Sequence, residues 1–211
     1  CIRDRPWSTR AGERTDALTA LFTSTSAICV TGLSTVDTGT HWSHFGQLVL
    51  LVLVQLGGLG FMTIASLVAI IVSRHLGLRM TLIASRERSA LTLGDVRRVL
   101  RGVGIVTVLI EVAVATVLAL RFRVTYGYSW GSATWHGAFH SVTAFNNAGF
   151  SLYADSLTGF ATDVVVTGSI AVAIIVGGLG FPVLVDLFEN RRTRRWGRLA
   201  LHSRFTLVAT V

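Results

Sequence analysis

Charge is what this sequence has least of. Only 14% of its 211 residues are charged, whereas 51% are hydrophobic, and the mean hydropathy is +0.61. Soluble domains run near a quarter charged, so a large soluble protein with buried helices is excluded in favour of a bilayer protein. Lysine is absent, and all nineteen basic residues are Arg. Cysteine is limited to Cys1 and Cys29. That rules out a disulfide framework, and no bridge between them is expected. No initiator Met or signal-peptide pattern opens the chain. It begins in a polar stretch and closes on the apolar Leu199–Val211, so it is expected to be a fragment cut at both ends.

Three charge-poor runs are present. Phe45–Ser73 and Val164–Val185 carry no ionisable residue, and Gly102–Leu120 carries only Glu111. Each reaches the roughly 20 residues that a membrane-spanning helix needs. The net charge of +8 and pI near 11.1 would suit nucleic acid, but the positions point elsewhere. Seven arginines lie in Arg74–Arg101 and six in Arg191–Arg204. The blocks fall on one side if the spans alternate, and cytoplasmic loops are enriched in such residues. The opposite side holds six. The blocks read as topogenic, with anionic lipid headgroups or a cytoplasmic protein as further contacts.

Between these runs lie shorter helices. Thr15 or Asp16 is a plausible N-cap for a helix over Ala17–Ala27, which at 1.5 Å per residue covers about 16 Å and cannot cross. Ile28–Gly32 suits extended backbone ending in a tight position. Leu33–Ser43 is polar, with Asp37, His41 and Trp42, and returns outward. After the first span, Leu82–Leu91 reads as a short amphipathic helix. Gly94–Asp95 then caps a second span from Val96 to about Leu120. Tyr126–Ser132 is an outside turn, and Ser132 or Thr134 caps a helix over Trp135–Phe145 that leads into Asn146–Phe150. Asp155 echoes Asp37, and the third span runs Val164–Phe188.

The order repeats. At an offset of 117 residues Phe22, Ser24, Ala27, Gly32 and Ser34 match Phe139, Ser141, Ala144, Gly149 and Ser151. At an offset of 120, Gly57-Gly58-Leu59-Gly60-Phe61 matches Gly177-Gly178-Leu179-Gly180-Phe181. The full unit is span, re-entrant helix and loop, span, and the first copy lacks its leading span. The expected divisions are 1–74 for repeat 1, 75–95 for a cytoplasmic linker, 96–189 for repeat 2, and 190–211 for a further linker and the start of a third repeat. The fold class is all-α integral membrane protein built from span–re-entrant pore helix/loop–span units.

Backbone that is neither helix nor closed sheet is tolerated at membrane depth only when protein buries it or it lines a wet cavity. Carbonyls of such loops can replace a cation's hydration shell, and the C-terminal end of a short helix favours a cation. Glycine supplies the φ angles other residues avoid. The candidate ion-lining carbonyls are those of Ile28, Cys29, Val30, Thr31, Gly32, Phe145, Asn146, Asn147, Ala148 and Gly149.

Val30-Thr31-Gly32-Leu33, Phe145–Phe150 and the paired Gly-Gly-Leu-Gly-Phe segments resemble the Trk/Ktr/HKT superfamily of cation transporters. Within it the match is to the TrkH/KtrB channel-forming subunits of bacterial potassium uptake, and it covers essentially the whole chain. The resemblance implies a K+-channel-like pore of four such repeats in one polypeptide, with one filter glycine in each. Gly32 and Gly149 would be two of them. It further implies a multi-pass plasma-membrane protein that moves K+ down its electrochemical gradient and acts as no enzyme. Some relatives with serine at the first glycine favour sodium; Gly32 leans toward potassium. No cofactor is implied. The partners implied are a second copy in a homodimer and a cytosolic nucleotide-binding regulatory subunit of the TrkA/KtrA type.

Other residues carry alternatives. Cys29 reads as a small packing residue rather than a redox group. Asn146 and Asn147 read as braces of the loop rather than ion ligands. The glycine pairs suit close helix packing, with a hinge as the alternative, and Pro182 is placed to kink its helix. Glu111 is an acid within a span, which is either functional or simply partnered by Gln55, a serine or backbone. His136 and His140 share a helix face without the ligands to complete a metal site. Asp37 and Asp155 either attract cations to an outer mouth or are merely solvated. Two other classes stay open: a membrane-embedded enzyme using Glu111, His136 and His140, and a non-conducting membrane scaffold.

Overall fold

The computed structural model describes Thr9, residues 15–60 and 93–180 (side chains of the latter from 101), and Val183, Leu184, Ser203, Arg204, Thr206 and Val208. These residues are helical apart from turns and loops, with an isolated bridge between Thr9 and Trp42. The chain divides into two compact units, one of Cys1–Gly58 with Thr107–Gly178, the other of Leu59–Val106 with Leu179–Val211. The first contains both loops and, among the described residues, the side chains that hold them.

Helix α1 runs Ala17–Ile28, about 18 Å long and well short of the roughly 30 Å hydrocarbon core. Asp16 occupies its N-cap without a side-chain bond, while Thr15 Oγ1 pairs with His41 Nε2 at 3.1 Å. The helix buries a narrow stripe of small residues, Ala20, Thr23, Ser26 and Ala27, and leaves Leu18 and Leu21 exposed. Such an apolar face away from the core is not built for water. Helix α2 (Thr38–His41) interrupts the returning segment. Asp37 starts it, accepting from the Gly39 N–H and the Thr40 hydroxyl.

Helix α3 is described over His44–Gly60, with Ser43 Oγ accepting from the Gly46 N–H. Its Gln47 is fully buried. The Gln47 amide donates to the Trp42 and Thr38 carbonyls at 3.1 and 3.3 Å, satisfying carbonyls that the end of a short helix leaves open. Its oxygen accepts from Trp135 Nε1 at 2.8 Å, tying the two repeats together.

Helix α4 spans Leu93–Tyr126, 34 residues. Gly94 and Asp95 therefore lie inside it rather than capping it, and it continues a turn and a half past Leu120. The extension is held by tertiary contacts. Arg121 Nε pairs with Asp163 Oδ2 at 2.9 Å, the Tyr126 hydroxyl donates to the same oxygen, and buried Phe122 stacks on Tyr128. Gly127 at φ +68° ends it. Among the described residues Arg101–Tyr126 is the one helix long and apolar enough to cross a membrane.

Helix α5 covers Trp130–Phe145, starting five residues before the expected Trp135. Ser129, not Ser132 or Thr134, is the cap, and its hydroxyl accepts from the Ser132 N–H. Gly137 lets α5 close on α4, since a Cβ there would stand 2.7 Å from the Ala115 carbonyl oxygen. Helix α6 runs Val164–Leu179, with Asp163 Oδ1 accepting from the Val165 and Val166 N–H groups. It stops short of the expected Phe188. Gly180 is left-handed at φ +79°, two residues before Pro182, while Val183 and Leu184 are helical again. The amphipathic segment Leu82–Leu91, the second half of the first span, Phe61, Phe181, Pro182 and most of the second arginine block lie outside the described residues.

Two apolar clusters form the core of the first unit. One joins Trp42, Leu50 and Val54 to Phe139, Phe150 and Leu152. The other joins Leu118 and Phe122 to Phe160, Val166 and Ile170.

Candidate functional site

The short helices α1 and α5 end in the same way, bond for bond. Val30 N–H donates to the Ala27 carbonyl and Thr31 N–H to the Ser26 carbonyl, at 3.2 and 2.9 Å. Asn147 and Ala148 repeat this with Ala144 and Thr143, at 3.0 and 2.7 Å. This pairing is the Schellman arrangement, which needs a left-handed residue after the cap. Val30 and Asn147 supply it at an identical φ of 56°. Two residues on, Gly32 and Gly149 are left-handed again, at 73° and 72°, whereas Thr31 and Ala148 keep negative φ. Asparagine tolerates that region; a β-branched valine there is an outlier, and such strain persists only where surroundings impose it.

The loops abut. A Cβ on Gly32 would strike the Ala148 carbonyl oxygen and lie 3.0 Å from Gly149 Cα, and one on Gly149 would lie 3.5 Å from Gly32 Cα. Beneath them, the first glycines of the pairs on α3 and α6 do matching work. Gly57 receives the Ile28 carbonyl and Gly177 the Phe145 carbonyl, each so closely that a Cβ would overlap the oxygen. These are carbonyls that the ends of α1 and α5 leave unpaired, and only a residue without a side chain admits them. Two of the ten expected ion-lining residues thus have their carbonyls packed on neighbouring helices. The other eight lie in the turns and loops beyond.

The match to known proteins follows the same segments. The family model described as TrkH, cation transport protein, matches residues 4–208. The chain belongs to the TrkH cation transport family. It is 40% identical over 192 residues to the Ktr system potassium uptake protein B of Bacillus subtilis, covering 91% of this chain and 42% of that protein. It is 36% identical over 205 residues to the potassium/sodium uptake protein NtpJ of Enterococcus hirae, covering 97% and 44%. A Ktr system potassium uptake protein B from Vibrio alginolyticus is 37% identical over 191 residues, covering 90% and 41%. The chain therefore spans about two-fifths of the length of these relatives. TrkH proteins are membrane transporters of cations, not enzymes.

Within this family frame the side chains around the loops differ between the repeats. Asn146 is 5% exposed. Its Nδ2 lies 2.9 Å from Gln55 Oε1, 3.2 Å from Glu111 Oε1 and 2.9 Å from the Val142 carbonyl. Gln55 Nε2 donates to Glu111 Oε2 at 3.3 Å, closing a triangle of three side chains from α3, α4 and the second loop. Glu111 is thus partnered as a buried acid must be, by the Gln55 expected from the sequence, and Ser141 Oγ donates to its backbone carbonyl at 2.7 Å. Asn146 braces the loop; Asn147 is exposed. Cys29, at the position of Asn146 in the first loop, is an exposed thiol. That loop is held instead by Thr31 Oγ1, which donates to Ser26 Oγ at 2.9 Å.

His140 is occupied elsewhere. Its Nε2 accepts from the Leu152 N–H and contacts the Ser151 hydroxyl, so Nδ1 carries the proton toward the His136 carbonyl at 2.8 Å. It fixes the segment leaving the second loop. His136 belongs to an aromatic group, edge-on to Tyr128 and tilted against Tyr153. The two histidines, which contact each other and share Tyr153, thus engage partners other than those of Glu111. Among the described residues no cluster of three or more His, Cys, Asp or Glu is placed to hold a metal. Asp37 caps α2, and Asp37 and Asp155 each accept from the hydroxyl of a threonine three residues on, Thr40 and Thr158. The Gln47–Trp135 bond had no signal in the sequence, because its partners are 88 residues apart.

Proposed function

We propose that this chain is the N-terminal half of a potassium-translocating subunit, with sodium as a second permeant ion. In this reading α1 and α5 are re-entrant pore helices. The carbonyls of Cys29–Gly32 and Asn146–Gly149 line part of a selectivity filter, with Ile28 and Phe145 at its base. The divisions are 1–74, 75–95, 96–189 and 190–211, and the spans make the protein multi-pass in the plasma membrane. Ions move down their gradient without covalent chemistry. The whole subunit works as a homodimer with a cytosolic nucleotide-binding regulatory subunit.

The observation that carries this reading is the repeated pattern of φ signs, positive–negative–positive, at Val30–Gly32 and Asn147–Gly149. In a strand of uniform sign successive carbonyls face opposite ways. Alternating hand turns them toward a common side, as a cation replacing its hydration shell requires. The names of the relatives, potassium uptake and potassium/sodium uptake, supply the ions. The test is rubidium uptake by the full-length protein in cells lacking potassium uptake. Gly32→Arg places a long cation where even a Cβ meets the Ala148 carbonyl, and uptake should fall to background at matched membrane levels. Uptake indifferent to the change would end the filter reading.

A further inference from the structure

We propose that Gln55, Glu111 and Asn146 are positioning residues for ion selectivity, a side-chain clamp that locks the second loop to α3 of the first repeat. This rests on the filter reading above and goes beyond it by assigning selectivity to residues that need touch no ion. The clamp ends on Asn146, the residue immediately before the left-handed Asn147. Asn146 Oδ1 is buried without a hydrogen-bond partner among the described residues and lies against Gly58, where a Cβ would overlap it. The loop's first residue is therefore tied through its side-chain amide to Gln55 on α3, to Glu111 on α4 and to the Val142 carbonyl of its own helix.

The clamp is one-sided. In the first repeat Asn146 is replaced by exposed Cys29. The repeat of Gln55 at an offset of 120 is Ile175, about half exposed. One loop is thus set by directional bonds from two other helices and its twin by its own hydroxyls. Joining helices does not require a carboxylate. Burying one costs several kcal/mol of desolvation, and apolar packing would hold α3 against α4 at less cost. What the carboxylate adds is direction: two acceptor oxygens, one aimed at Gln55 and one at Asn146. Ion discrimination by carbonyls depends on where those carbonyls are held.

The bond pattern prescribes its own test. Glu111→Gln confronts the amide of Gln55 or of Asn146 with another amide and breaks one bond. The double exchange Gln55→Glu with Glu111→Gln re-forms all three with roles swapped: the new amide on α4 donates to the new carboxylate on α3, and Asn146 donates to both. The assay is rubidium uptake by the full-length transporter, with sodium as competitor, at matched membrane levels. The single variant should lose roughly tenfold in rubidium-over-sodium preference, the effect of about 1.4 kcal/mol of misplacement. The exchange should return to within about twofold of the parent. Asn146→Asp, which turns the shared donor toward Glu111 as an acceptor, should match the single variant. Unchanged preference in both single variants, or an exchange no better than Glu111→Gln, overturns the clamp. If the single variants fail to reach the membrane, an exchange that does so with parental preference supports it, and one that does not overturns it. Gly32→Arg keeps the two proposals apart. Abolished uptake there with intact preference in both Glu111→Gln and Asn146→Asp sinks the clamp alone; retained uptake sinks the filter.

Discussion

The loops after α1 and α5 share their backbone to within a degree or so at both left-handed positions, and share almost nothing in the side chains that hold them. The first is kept by a hydroxyl pair within its own turn, Thr31 and Ser26. The second is kept by an amide reaching two other helices. What the copies have in common is what the backbone demands: an open helix end, a left-handed exit, and a glycine for each unpaired carbonyl to rest on. What differs is how the neighbourhood enforces it. A conformation that a valine resists is reached at Val30 as faithfully as at Asn147, so the surroundings and not local preference dictate it.

The strongest challenge to this equivalence is at Gly57 and Gly177. Alanine at either would drive a Cβ into a backbone carbonyl, and the helix would have to back away from its loop. Both variants should lose most rubidium uptake and lower the thermal midpoint of the purified full-length protein, as overpacking costs of about 1–3 kcal/mol imply. A marked difference between the two would break the symmetry.

Exchanging the left-handed residues sharpens it. Asn147→Val puts a β-branched side chain at φ 56° on an exposed site with little packing to gain, and should destabilise by about 1–2 kcal/mol. Val30→Asn trades partly buried apolar contact for relief of strain and should change stability by less. Thermal unfolding of the pair decides whether strain sits in the first loop alone.

The caps of α3 and α6 differ in charge and so in pH response. Ser43 and Asp163 stand 120 residues apart and each accept from N–H groups of the following helix. Arg121, foremost, with Tyr126 and the N–H groups of Val165 and Val166, holds the Asp163 carboxyl down at about 2, despite its burial. The folded value lies below the ordinary 3.8. The carboxylate therefore stabilises the fold above about pH 4, and that contribution fades as pH falls toward 2. Asp163→Ser should remove this acid-sensitive component between roughly pH 4 and 2 while leaving a cap; an unchanged acid profile would contradict the assignment.

The smallest effect is expected at Gly178. A Cβ there meets only Asn147 Nδ2 at 3.8 Å, so Gly178→Ala should be neutral or gain up to about 1 kcal/mol from helix propensity. Gly58→Ala would overlap Asn146 and should cost selectivity. Equal behaviour of the two in uptake and thermal unfolding would remove the one-sidedness on which the clamp depends.

Much of this was open to sequence reading because it is periodic or local. The apolar runs, the short helices too small to cross, the repeat at 117 and 120, and the special standing of Gly32 and Gly149 follow from composition and spacing. The ends of elements were less legible. Ser129 rather than Ser132 caps α5, and α4 outruns Leu120, because Arg121, Phe122 and Tyr126 find partners 37 to 42 residues away in Asp163 and in nearby rings. Local propensity carries no record of such contacts.

By itself the sequence determined that the chain is helical, membrane-seeking and internally repeated, and which glycines punctuate it. These properties arise from neighbours in the chain and from the energy of placing apolar residues in lipid. Only the tertiary structure decided that the Ile28 and Phe145 carbonyls rest on Gly57 and Gly177, that Gly32 meets Gly149, and that Glu111 is shared by Gln55 and Asn146. Each of these joins residues from 29 to 117 positions apart. A hydrogen bond, or the seating of a carbonyl on a glycine, is decided over about 3 Å of space, a distance that spacing along the chain does not encode.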